Sequence, residues 1–208
     1  MAFDVAISRT VGDTRIALSF VVEGGLTVLF GPSGAGKTSV LNMVAGLMTP
    51  ARGHIRVDGE TLFDARAGID VAPDKRRMGY VFQDGRLFPH RRVRANLLYG
   101  HRLAASGDRW ITPDEVVAFL GIGDLLDRWP RSLSGGEAQR VAIGRALLSG
   151  ARALLMDEPL SSLDAARRDE IMTVIERIRD DLRLPILYVT HDAAEADRLA
   201  TQRITVGG

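Results

Sequence analysis

Lys37 and Thr38 close the run Gly31-Pro32-Ser33-Gly34-Ala35-Gly36-Lys37-Thr38, a spacing of glycines, lysine and hydroxyl that can wrap a phosphate chain. The glycines let the backbone bend so that several N–H groups aim at one anion. The Lys37 ammonium can reach terminal phosphates, and the Thr38 hydroxyl can ligate Mg²⁺. The chain has only two lysines, Lys37 and Lys75, against 25 arginines. A plain strand-to-helix turn has no use for one of them followed by a hydroxyl. The flanks agree with a phosphate loop. Leu26 to Phe30 reads as a buried strand, and residues 39–47, starting at Ser39, repeat Val40, Leu41, Val44 and Leu47 at helical spacing. The positive end of that helix dipole would then lie at the loop.

A second group of chemistry-bearing residues is Asp157-Glu158, at the end of the apolar run Ala153-Leu154-Leu155-Met156. In open α/β sheets ligands sit at the carboxyl ends of strands, where Lys37 is also expected. Side chains alternate along a strand, so one carboxylate can face Mg²⁺ while the other polarises a water. Asp157 takes the first role and Glu158 the second. Ser134-Gly135-Gly136-Glu137 reads in two ways. S-x-x-E is a capping box, but two glycines weaken a first helical turn, and bare N–H groups beside a hydroxyl make an anion site. One chain with two phosphate cradles either binds two anions or serves a nucleotide held by another copy. Gln83 and His191 each follow an expected strand and so join Lys37 on the same sheet edge.

The elements that must position these groups can be read in order. Residues 3–8 and 15–22 read as a hairpin around Gly12-Asp13. Residues 54–57 form a short strand, residues 63–77 a polar loop, and residues 78–82 a strand that delivers Gln83. Between 84 and 131 short helical segments take over, with Thr112-Pro113-Asp114-Glu115 marking a helix start near 113. A helix follows Ser134 to about 148, then a strand over 152–157 and a helix over 165–182. A strand over 184–190, a short helix over 192–200 and a strand over 204–206 complete the chain. This order predicts an α/β fold with a mostly parallel sheet and helices on both faces.

Composition narrows the function classes. A net charge of +1 over 208 residues gives no reason to expect nucleic-acid binding. The absence of cysteine excludes disulfides and thiolate metal sites and agrees with a reducing compartment. The N-terminal MAFDVAISRT lacks the parts of a signal peptide, and no apolar run is long enough to span a bilayer. With only two lysines, no [NT]-K-x-D base-reading motif exists. No heptads separate the two nucleotide motifs, unlike the coiled coils of ATPases that act on DNA.

Taken together, the phosphate loop (Walker A), Gln83, Leu133-Ser134-Gly135-Gly136-Glu137, Leu154 to Glu158 (Walker B), Ser161-Ser162-Leu163-Asp164 and His191 resemble the motifs of an ATP-binding-cassette (ABC) ATPase. The resemblance covers essentially the whole chain. It implies a P-loop NTPase, RecA-like core over 1–83 and 132–208, with an N-terminal antiparallel β subdomain and a helical insertion over 84–131. ATPases of molybdate importers commonly carry a C-terminal regulatory domain as well, and none is expected within these 208 residues. The resemblance also implies ATP and Mg²⁺. Residues 31–39 would hold the phosphates, and Thr38, Gln83 and Asp157 would face the metal. Glu158, His191 and Gln83 would serve catalysis. The implied enzyme is a head-to-tail homodimer. Ser134, Gly135 and Gly136 of one copy would close over the other's ATP, with Asp164 tying the sites across the interface. Further partners would be permease subunits and, through them, a substrate-binding protein, with the chain peripheral on the cytoplasmic side of the membrane.

The stretches from Asp74 to His90 and from Glu137 to Leu147 resemble the ATPase subunits of molybdate importers, and importers of sulfate, sugars or polyamines share much of them. The resemblance also places an adenine-stacking aromatic in the first hairpin turn. Val11-Gly12-Asp13 has none, and Arg15 is the planar group nearby.

Overall fold

Two five-stranded sheets of opposite character organise residues 1–207, which the computed structural model describes. In the first, β1 (Phe3–Val11) and β2 (Thr14–Val22) pair as a hairpin whose last pair, Val11 with Thr14, leaves the two-residue turn Gly12-Asp13. Gly12, at φ 58°, supplies the left-handed backbone such a turn needs. The hairpin is longer at its turn end than the sequence pattern indicates. β4 (Arg52–Val57), β5 (Glu60–Asp64) and β6 (Ile69–Asp70) extend this sheet, all antiparallel, in the order β2-β1-β4-β5-β6. The expected polar loop over 63–77 is thereby corrected: it gives Phe63 and Asp64 to β5, forms β6, and then makes a single 3-10 turn at Pro73–Lys75. β6 is two exposed residues long and carries no apolar alternation to read.

The second sheet is entirely parallel. Its strands are β3 (Leu26–Phe30), β7 (Met78–Val81), β8 (Ala153–Asp157), β9 (Ile186–Thr190) and β10 (Gln202–Thr205), in the order β10-β3-β9-β8-β7. Burial on both faces explains the near-continuous apolar runs of β3, β8 and β9. Side-chain alternation splits the core in two. Leu29, Leu155, Leu187 and Val189 face α1 (Lys37–Ala45) and the inner face of the antiparallel sheet. Val28, Leu154, Met156, Ile186 and Tyr188 face the other way. There they meet α4 (Gly135–Leu147), α5 (Ala165–Asp180) and α6 (Ala193–Leu199), together with α2 (Val93–Leu103) and α3 (Pro113–Leu120) of the helical segment. Helix α1 is thus sandwiched between the two sheets.

Helix α1 begins at Lys37 and ends at Ala45, two residues earlier at each end than the 39–47 periodicity. Gly46, at φ 80°, terminates it in the left-handed conformation, and Leu47 is left 56% exposed. Its C-terminus is held from outside by Arg76, which is fully buried. The Arg76 guanidinium donates to the carbonyls of Met43 (2.9 Å), Val44 (3.0 Å) and Val71 (2.7 Å), and to Asp70 Oδ1 (2.7 Å). Burial pulls this guanidinium below its ordinary range, with Asp70 opposing. It nevertheless stays charged at neutral pH and suits the negative end of a helix dipole. Arg76→Ala removes the guanidinium donor from these carbonyls and opens a cavity. It is expected to lower stability by about 3 kcal/mol, read as a fall in melting temperature on the order of 10 °C.

Candidate active site

Because all five strands of the second sheet run parallel, the segments that follow β3, β7, β8 and β9 emerge at one edge. Phe30 lies beside Thr190, Asp157 beside Val189, and Val81 beside Met156. The chemistry-bearing residues read from the sequence come next: Gly31, Glu158 and His191 directly, and Gln83 two residues past β7.

The loop from Gly31 to Gly36 bends back into α1. A Cβ at Gly31 would stand 2.2 Å from the Val206 carbonyl oxygen, so only glycine lets β10's extension close against the loop. Gly36, at φ 91°, is the N-cap of α1 and offers no side chain to it. Thr112, Ser134, Asp164 and Asp192 cap α3, α4, α5 and α6 with their side chains. The first N–H groups of α1 have neither such a cap nor an acidic residue in the first turn, so they are free to bind an anion. Lys37, 4% exposed, donates through Nζ to the carbonyls of Gly31 (2.7 Å) and Pro32 (2.8 Å). Pro32, Ser33 and Gly34 are exposed along the loop's outer side, while Ser39 is half-buried in the first turn.

Across this loop stand the carboxylates. Thr38 Oγ1 donates to Asp157 Oδ1 at 2.8 Å. Burial pushes the Asp157 carboxyl up, the Thr38 hydrogen bond opposes this, and Glu158 next door adds to the rise. A cation beside it would favour the charged form. Among the described residues no cluster of three His, Cys, Asp or Glu could cage a metal alone. One hydroxyl and one carboxylate suit Mg²⁺, which keeps waters and takes phosphate oxygens for the rest of its octahedron. Thr38 and Asp157 therefore fit it.

Glu158 sits on a left-handed backbone, φ 44°, outside the range preferred by non-glycine residues. Its N–H donates to the Val189 carbonyl (3.0 Å), and its own carbonyl accepts from the Ser161 N–H and hydroxyl. Held in this way, the side chain places Oε1 4.0 Å from Lys37 Nζ and Oε2 3.1 Å from His191 Nδ1. The three groups come from three different strand ends, which is the convergence an active site requires.

Not every expected residue joins them. Gln83 is exposed past the end of β7, which stops at Val81 rather than 82. No hydrogen bond among the described residues ties its side chain to Thr38 or Asp157. Ser134 and Glu137 make the capping box. Glu137 N–H donates to Ser134 Oγ (3.3 Å), and Ser134 N–H donates to Glu137 Oε2 (2.7 Å). Gly135 is exposed and Gly136 buried beside Arg167. No hydrogen bond or ion pair among the described residues joins this helix start to the loop at Lys37. Asp164 caps α5, accepting from Arg167 N–H at 3.1 Å. One positioning residue escaped the sequence reading. Arg145 on α4 donates to the carbonyls of Arg86 (2.7 Å) and Gly85 (2.8 Å), fixing the turn just after Gln83. That link joins residues some sixty positions apart and leaves no local pattern.

The family described as ABC transporter matches residues 17–161. The molybdenum import ATP-binding protein ModC of Rhodospirillum rubrum is 54% identical over 203 residues, covering 98% of this chain and 55% of that protein. ModC of Mesorhizobium japonicum is 53% identical, covering 97% and 54%. The chain thus spans about half the length of these relatives. Among solved structures, a dimeric bacterial ABC transporter cassette superposes with a TM-score of 0.76 at 26% identity, covering 98% of this chain and 92% of that one.

Proposed function

The chain belongs to the ABC transporter family, and on that premise we propose that it is the ATP-hydrolysing subunit of an importer for molybdate, working as a head-to-tail homodimer. The observation that carries the ATPase reading is Glu158, placed between Lys37 and His191 beside the Thr38–Asp157 pair. The loop N–H groups of α1 and Lys37 bind the β- and γ-phosphates. Mg²⁺, when bound by Thr38 and Asp157, neutralises phosphate charge. Glu158 orients the attacking water and accepts its proton. His191, tethered through Nδ1, presents Nε2 toward the γ-phosphate, and Gln83 completes the edge. Molybdate as cargo rests on the ModC relatives. Phosphate release from the purified chain with Mg²⁺ and ATP tests the reading, and no release above an ATP-free blank would reject it.

The dimer supplies what one chain lacks. Ser134, Gly135 and Gly136 of a second copy would cover the γ-phosphate held at Lys37, with Asp164 at the seam. The partners beyond it are permease subunits and, indirectly, a substrate-binding protein. Peripheral attachment at the cytoplasmic face fits a chain in which no described helix is long and apolar enough to cross a membrane.

The permease would meet the helical segment after Gln83. There Tyr80, Phe82, Phe88, Tyr99, Arg86 and Arg145 line a groove of about 390 Å³. Arg86 lies over Phe82 (4.1 Å) and Arg145 over Phe88 (5.3 Å), the mixture of aromatic and arginine common at binding centres. Phe88→Ala is expected to leave basal phosphate release within about two-fold while cutting transport by the reconstituted complex about ten-fold. Unchanged transport would place the permease elsewhere.

A further inference from the structure

Glu195 on α6 is a carboxylate that the proposed reaction does not use, and it is only 4% exposed. Its Oε2 accepts from the Tyr188 hydroxyl (2.8 Å) and from Thr190 Oγ1 (2.8 Å), while Oε1 lies 3.9 Å from Arg168 Nε. Burying a charge costs several kcal/mol, and an apolar residue could fill the same space without that cost. What the charge does hold is the turn that carries His191. Thr190 Oγ1, donating to Glu195, also accepts the Asp192 N–H (3.0 Å). Asp192 Oδ1 accepts from the N–H groups of Ala194 (2.8 Å) and Glu195 (3.2 Å), and its Oδ2 accepts from Arg168 Nη1 (3.0 Å). Both neighbours of His191 are therefore fixed, Thr190 through Glu195 and Asp192 through Arg168. The imidazole itself is 51% exposed, and among the described residues its one polar contact is that of Nδ1 with Glu158. Arg168 lies in the first turn of α5, its N–H donating to the carbonyl of the cap residue Asp164 (2.9 Å).

We propose that Glu195 and Arg168 are positioning residues that hold the turn from Thr190 to Asp192 so that His191 Nδ1 faces Glu158, and that they couple this turn to the start of α5. The effect on rate rests on the ATPase reading above, whereas the placement of the ring does not.

Two readouts test this. Long-range ¹⁵N–¹H spectra report the His191 tautomer. In the wild type, the Glu158 carboxylate 3.1 Å from Nδ1 favours a proton on that nitrogen. Glu195→Gln keeps the volume but replaces one acceptor oxygen by an amino group facing Arg168, and is expected to shift the ring toward Nε2–H. Tyr188→Phe removes the other hydroxyl bond to Glu195 without touching Thr190, and is expected to leave the tautomer unchanged. A merely structural role would move both variants alike. In turnover, Glu195→Gln is expected to lower kcat about ten-fold with KM for ATP within about two-fold, and to cause no further loss in a His191→Ala background. An unchanged tautomer in Glu195→Gln, an equal shift in Tyr188→Phe, or an additive loss in the double variant would each overturn the proposal. Should Glu195→Gln fail to fold, the partly exposed Arg168→Gln carries the same expectations. A shifted tautomer in a protein that does not hydrolyse ATP would reject the ATPase reading and leave the placement standing.

Discussion

Glu158→Gln is expected to lower ATP turnover by about 10²–10⁴-fold while leaving ATP binding within about two-fold. Glutamine keeps the shape of the side chain, and its oxygen can still stand beside His191 Nδ1, which lies 3.1 Å from the carboxylate in the wild type. What disappears is the ability to take a proton from water. The backbone hold on this position comes from the bonds to Val189 and Ser161, which a side-chain change does not touch. The folded protein should therefore bind ATP, close around it and stall, so an ATP-bound dimer should accumulate on gel filtration. Phosphate release measured beside it gives the rate. Turnover near that of the wild type would remove Glu158 from its role.

Lys37→Ala is expected to weaken ATP binding about 100-fold and to abolish measurable hydrolysis. Lys37 is buried at the centre of the loop, with Nζ bonded to the Gly31 and Pro32 carbonyls. A hydrogen bond from a charged donor contributes about 1.5–3 kcal/mol, and the ammonium would serve two phosphates. Alanine and methionine both remove the donor to those carbonyls, but Lys37→Met keeps the apolar stem, so the pair separates the lost ammonium from the cavity that alanine leaves. Equilibrium binding of a fluorescent ATP analogue checks both variants. Affinity retained in Lys37→Met would mean that the backbone N–H groups carry the site alone.

The parallel sheet was legible because its central strands β3, β8 and β9 are buried on both faces. Leu26 to Phe30 and Ala153 to Asp157 are continuous apolar runs for that reason. β6 was illegible, being too short for any period, and the joining of β4 to the hairpin sheet depends on long-range pairing with β1. In the site, the order of motifs exposed Lys37, Asp157, Glu158 and His191, and strand-end logic put them on one edge. The sequence could not reveal that Glu158 takes a left-handed backbone or that it bridges Lys37 and His191. Nor could it reveal Arg76, Arg145 or Glu195, whose partners are distant carbonyls or buried hydroxyls. The Ser134–Glu137 pattern was legible in two ways. The capping box is realised within the chain, and the anion-binding reading requires a second copy.

That requirement is the centre of the account, and mixing two inactive variants tests it most directly. Lys37→Ala lacks the phosphate cradle but keeps the start of α4. Gly136→Asp keeps the cradle and both carboxylates but sets a negative charge where the partner's γ-phosphate would lie. A Cβ at Gly136 would meet Arg167 carbons at 3.6 Å, an ordinary contact, so this variant should fold. Each alone is expected to release almost no phosphate. Mixed in equal amounts, half the dimers would be mixed, each with one complete composite site. The mixture should recover about a quarter of wild-type phosphate release per chain. A mixture no more active than its separate components, or a fully active Gly136→Asp protein, would contradict a site shared between two chains.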